Sequence, residues 1–120
     1  MIIDHVGIAV SDREKSKKFY TNILTPFGIS PLIEHEDWIG FGKQGRPEFW
    51  IGAGKDTKYF MHVAFAADTK AIVDAFYKIA IAEGAQCNGK PKLRNDYYAD
   101  YYGAFILDYD GHNIGAVFHG

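Results

Sequence analysis

Two stretches decide how the fold is read: "HVGIAVSDREKSKKFY" at residues 5–20 and "HVAFAADTKAIVDAFY" at residues 62–77. At a fixed offset of 57 and without a gap, five of their sixteen positions are identical. The matches include His5 with His62 and the aromatic pair Phe19-Tyr20 with Phe76-Tyr77. Histidines and paired rings are infrequent, so their return at one spacing marks an internal duplication. Each copy opens on an apolar run, 2–10 and 59–67, too short and uncapped for a helix and therefore read as a strand.

Each copy then changes to a helical period. In the first, Phe19, Tyr20, Ile23 and Leu24 form one stripe, and Ser11 with Glu14 has the spacing of a capping box. In the second, Asp68 is the expected cap, Ile72, Val73, Phe76 and Ile79 form the stripe, and Gly84 ends it. Strand-like pieces follow each helix. They are "SPLIEHE", "DWIGFGK" and "PEFWIGAG" in copy one, with a hairpin signal at "QGR". In copy two they are "AQCNGK", "YYGAFILD" and "HNIGAVFH", and "PKLRNDYYAD" between the first two reads as a long loop. The expected fold class is α+β, two tandem βαβββ modules over about 1–57 and 58–120 whose sheets share a core or enclose a groove.

Size and composition agree with one domain. The chain has 120 residues, 48% hydrophobic and 23% charged, as in soluble globular proteins. Eight Tyr, nine Phe and two Trp are many rings for this length, enough for an aromatic core or a ring-lined pocket. A net charge of −2, spread evenly over both halves, argues against nucleic acid or an anionic membrane as partner. The single Cys87 cannot form an internal disulfide, which fits a reducing compartment, and a cytoplasmic location is expected. "MIIDHVGIAV" reads at once as a strand, so no leader peptide is expected, and no apolar run reaches membrane-spanning length.

With its opening "DHVGIAV.D..KS..FY" and its closing "D.DG..I.AV", the duplicated chain resembles the vicinal oxygen chelate superfamily. That group includes glyoxalase I, extradiol dioxygenases, fosfomycin-modifying enzymes and bleomycin-binding proteins. The resemblance covers essentially the whole chain. It implies a cleft in which residues of the first and fourth strands of each module hold a divalent metal (Fe, Mn, Ni or Zn). Transferred by position, the first-strand ligands are His5 and His62. The fourth-strand positions are Trp50, where some members carry a glutamate, and Gly115, where metal-using members carry the last one. The resemblance also implies a small-molecule ligand and a homodimer.

Gly115 therefore leaves the implied metal set incomplete, since two imidazoles without a carboxylate make a weak divalent site. No neighbour repairs it plainly. His119 falls on the same face but about 13 Å further along the strand, at the rim. Glu48 is displaced in the same way, and Asp108, Asp110 and His112 read as turn residues. Trp50, Tyr102 and His119 are the expected substrate contacts. The tyrosines of "NDYYADYY" (95–102) read either as cover for a sheet edge or as a lid whose hydroxyls meet a ligand. Cys87 has no base beside it in sequence to make it a nucleophile.

Two functions stay open. One is metal-dependent lyase, isomerase or oxygenase chemistry on a substrate with adjacent oxygens. The other is metal-free binding of a small, antibiotic-type molecule, as in the bleomycin-resistance branch. Whether the chain is an enzyme is not decided by its sequence.

Overall fold

The computed structural model describes residues 3–54, 60–94 and 101–120. It divides into two compact units, Met1–Tyr59 and Phe60–Gly120. The first contains β1 (Val6–Val10), α1 (Arg13–Leu24), β2 (Ser30–His35), β3 (Trp38–Lys43) and β4 (Arg46–Ala53), with a 3₁₀ turn at Thr25–Phe27. The second contains β5 (His62–Ala66), α2 (Lys70–Ala82), β6 (Gln86–Arg94), β7 (Tyr101–Leu107) and β8 (Asn113–His119). Strand order is β1-β4-β3-β2 in one sheet and β5-β8-β7-β6 in the other. In each, the first strand pairs parallel to the last and the other pairs are antiparallel. The architecture is thus α+β, with the βαβββ unit repeated.

Side-chain alternation gives each sheet a helix-covered face and an open one. In the first unit Ile8, Val10, Ile39, Phe41, Phe49 and Ile51 are buried with Phe19, Tyr20, Ile23 and Leu24 of α1. Tyr20 sits at the centre of this core, its ring 5.1 Å from Phe19 and Phe49 and 6.4 Å from Phe41 by centroids. Each such buried side chain contributes about 1.5–3 kcal/mol of transfer free energy. In the second unit Ala104, Ile106, Ile114 and Ala116 are buried with Val73, Phe76 and Ala80 of α2. The stripe expected for α1 is the one buried, whereas in α2 Val73 and Phe76 are buried as expected, Ile72 and Ile79 are half-buried, and Ala80 joins the core.

Three local expectations are corrected. Helix α1 is capped by Asp12, not Ser11: Asp12 has the extended backbone a cap requires, and its carboxylate accepts from the Lys15 amide at 3.0 Å. Helix α2 is capped by Thr69, not Asp68, for the same reason, with Thr69 Oγ1 accepting from Ile72 at 3.2 Å. The supposed loop at 91–100 is strand as far as Arg94, and its remainder lies outside the described residues. β6 is an edge strand, where Pro91 need not donate to a ladder, and a shift of register at Gly89 (φ 153°) takes up the irregularity. Gly84 closes α2 as expected, with φ 95° and its amide on the Ile81 carbonyl.

Candidate functional site

The parallel pairing of first and last strands brings the two copies into register. Gly7 on β1 pairs with Trp50 on β4, and Ala64 on β5 pairs with Gly115 on β8. Gly7 and Ala64 are the same position of the repeat, so Trp50 and Gly115 occupy equivalent places on the open faces. Their antiparallel neighbours are equivalent too. Trp50 faces Gly40 on β3, and Gly115 faces Phe105 on β7. Each module therefore has one ring and one glycine at this cross-strand pair, with the strands exchanged.

The rings sit directly on the glycines. A Cβ on Gly115 would lie 2.5 and 2.6 Å from Cδ1 and Cε1 of Phe105, and one on Gly40 would lie 2.9 Å from the Trp50 indole. Trp38 does the same over Gly52, at 2.6 Å, and Tyr101 over Gly103, at 3.0 Å. A glycine inside a strand is costly unless something needs the space, and here an aromatic neighbour covers the bare backbone. At Gly115 the missing side chain and the ring above it are one feature.

His5 lies just before β1 and is exposed, and its Nδ1 is 2.6 Å from the Asp4 carboxylate. A carboxylate only accepts, so Nδ1 carries a proton, and in the neutral ring Nε2 is the nitrogen with the lone pair. With Asp4, Gly45, Arg46, Pro47 and Trp50, His5 lines a shallow concavity of about 420 Å³ in the first unit. His62 begins β5, and its Nδ1 donates to the Asn113 carbonyl at 3.0 Å, again leaving Nε2 free.

A second concavity, of about 380 Å³, lies wholly in the second unit. It is lined by His62, Ala64, Phe65, Ala66, Tyr101, Phe105, Val117 and His119. The rings come in pairs: His62 with Phe105 at 6.0 Å, and Tyr101 with His119 at 5.6 Å. The Arg94 guanidinium lies over Phe105, 5.1 Å from its centroid, and donates to the Gly103 and Lys90 carbonyls. It thus braces the ring from the β6 side.

Of the residues expected from sequence, His62 and His119 meet in this concavity, and His5 and Trp50 meet in the other. Tyr102 reaches neither. Its hydroxyl donates to Asp74 of α2 at 2.6 Å, with the Lys70 ammonium 5.4 Å from its ring, and this bond to a carboxylate pushes the phenol's pKa up. Its neighbour Tyr101 faces the concavity instead. Period-2 alternation carried the signal, because Ala104 and Ile106 are core residues and Tyr102 shares their face. His112 is more than a turn residue: it is buried, and its Nδ1 accepts from the Met61 amide at 2.9 Å. Cys87 is exposed on the edge strand. Hydrogen bonds from Tyr77 and the Gly89 amide, with Lys90 and Arg94 nearby, hold its thiol below the ordinary value.

A family model of the Glyoxalase/Bleomycin resistance protein/Dioxygenase superfamily matches residues 2–115. The chain belongs to this superfamily. A crystal structure of a glyoxalase/bleomycin resistance protein from Albidiferax ferrireducens T118 is 28% identical, with a TM-score of 0.88 over 99% of this chain and 100% of that one. A glyoxalase/bleomycin resistance protein/dioxygenase family enzyme from Burkholderia phytofirmans PsJN is 22% identical (TM-score 0.74, 96% of each chain). The fosfomycin resistance protein FosX from Listeria monocytogenes is 20% identical (TM-score 0.73, 100% of this chain and 94% of that one), and these last two establish likeness of fold alone. No match was found among curated proteins.

Superfamily members often use a divalent metal, so the donors of each unit bear testing against one. The second unit offers His62 Nε2, His119, and the side-chain oxygen of Asn113, which is buried and has no hydrogen-bond partner among the described residues. No carboxylate joins them. Gly115, where the family resemblance implies one, has no side chain, and the direction a side chain would take is filled by Phe105. Among the described residues of either unit, no three His, Cys, Asp or Glu side chains are grouped to hold a metal ion. Within each unit the residues present do not fit the metal.

Proposed function

We propose that this protein binds a small organic molecule on the open face of its second unit, and does so without a metal ion. The observation that carries the reading is the Phe105 ring seated on Gly115, where the family resemblance implies the metal-binding carboxylate. An apolar ring braced by Arg94 turns a place for charge into a wall for a ligand. His62 then serves as a hydrogen-bonding group, with its tautomer fixed by the Asn113 carbonyl. Small-molecule capture of this kind belongs with the metal-free, antibiotic-type branch of the superfamily rather than with its lyases and oxygenases.

A second reading, metal-dependent chemistry on a substrate with adjacent oxygens, is favoured by one observation. Both repeat histidines have Nδ1 tied to an oxygen acceptor and Nε2 left open, as metal-ligating histidines do. One reconstruction separates the two. The double variant Gly115→Glu/Phe105→Ala restores the carboxylate and removes the ring in its way. Under our reading it gains Ni(II) or Mn(II) affinity over wild type, at least tenfold by calorimetric titration. Tight stoichiometric binding by wild type itself would overturn the reading.

The partners proposed are this small-molecule ligand and a second copy of the chain, with no role for nucleic acid or membrane. Net charge supports the last point, and among the described residues no helix is long and apolar enough to cross a membrane. Ile33 and Trp38, 46% and 42% exposed, give the first unit apolar surface suited to self-association. A cytoplasmic location is proposed from the lone, free Cys87.

A further inference from the structure

We infer that the second unit's concavity selects a flat, uncharged aromatic molecule, one or two rings in size. The inference rests on the metal-independent reading above and names the class of its ligand. The floor is low and smooth, because Ala64 and Ala66 of β5 raise only methyl groups. Rings stand at both ends, Phe105 with His62 at one and Tyr101 with His119 at the other. The Tyr101 ring leans over Gly103, and the Phe105 ring lies over Gly115. Gly103 pairs with Val117, two residues beyond Gly115, so the two seats are about 7 Å apart along the strands.

A flat ring can lie on the low floor of Ala64 and Ala66 and reach carbon contact, about 3.5–4.0 Å, over its whole face. A puckered, saturated ring meets the same floor with fewer of its atoms. Size sets a second limit, since about 380 Å³ lies near the small end of the roughly 300–1,000 Å³ usual for ligand sites.

Charge sets the third limit. Among the described residues no Lys, Arg, Asp or Glu lines the concavity, and the nearby Arg94 is held by two carbonyls and by the far side of Phe105. An ionic group brought here would leave water without a counter-charge. The polar atoms that remain, on two imidazoles and a phenol, suit a hydroxyl or ring nitrogen at the ligand's edge.

The test uses the whole chain at pH 8 and three probes on one skeleton. These are 2-naphthol, its saturated analogue decahydro-2-naphthol, and the anion 2-naphthoate, followed by calorimetry and by the methyl signals of Ala64 and Ala66. The expected result is saturable 2-naphthol binding that shifts both methyls, with the other two probes at least tenfold weaker. Tyr101→Ala and, independently, the exposed-site variant His119→Ala should each weaken 2-naphthol about tenfold. Equal binding of the saturated probe, preference for the anion, or no saturable 2-naphthol binding would each overturn the inference. Repetition in EDTA separates it from the parent reading. Flat preference that requires a divalent metal supports the ligand class while removing the metal-independent reading.

Discussion

Gly115 pairs with Ala64 on one side and Phe105 on the other, and a Cβ there would meet the Phe105 ring at 2.5 Å. Both contacting atoms belong to the near edge of a ring that is held from behind by Arg94, so the ring cannot simply swing away. Even one methyl group should therefore act as overpacking. Gly115→Ala is expected to destabilise by about 1–3 kcal/mol. In a Phe105→Leu background the same change should cost less than half as much, a coupling that a double-mutant cycle by urea unfolding measures directly. Independent, additive effects would mean the ring and the glycine are not one feature. The family resemblance implied a missing carboxylate at this position. It did not show what fills the gap, because that depends on the cross-strand register set by the turn between β7 and β8.

That turn shows how elements fix residues. The Asp108 carboxylate accepts from the amides of Asp110 and His112, at 2.9 and 2.8 Å, and Gly111 turns the chain at φ 89°. "DYDGH" was legible as a turn from its Asp and Gly residues. The use of His112 to anchor the Met61 amide ahead of β5 was not, since the two are 51 residues apart. A similar link joins α1 to β2. Glu34 accepts from Arg13 at 3.0 Å and pairs with Lys17 at 3.1 Å. The Lys17 hydrogen bond first, then the charges of Lys17 and Arg13, hold the Glu34 carboxyl below its ordinary value against some desolvation. A lowered folded-state pKa stabilises above the unfolded carboxylate value, about 4.3, and that contribution disappears as pH falls through the folded value. Glu34→Gln should thus melt below wild type at pH 7, and the gap should be smaller at about pH 3, below the unfolded carboxylate value. A gap of equal size at both pH values would show that the charge is not what ties helix to strand.

Across the whole molecule one βαβββ plan is used twice with different furniture on its open faces. The plan was legible because the repeat carried infrequent residues at a constant offset and because both helical stripes kept their period. The furniture was only partly so. Alternation put His119 on the face of Gly115 and the repeat matched His62 to His5, whereas Tyr102 was the expected contact although alternation with the core residues Ala104 and Ile106 turns Tyr101 to the open face. Trp50 and Gly115 were recognised as equivalent from the family pattern, but the exchange of ring and glycine between neighbouring strands is a property of the sheet. These features support the proposal of a protein that keeps the superfamily's scaffold while an aromatic ring takes the place where the resemblance implies a carboxylate. Metal content tests that directly. The purified chain, incubated with Ni, Mn, Fe and Zn salts, desalted and submitted to elemental analysis, should retain far less than one metal per chain, with His5→Ala and His62→Ala no different. One equivalent of a divalent metal, retained by wild type and lost in both histidine variants, would contradict it.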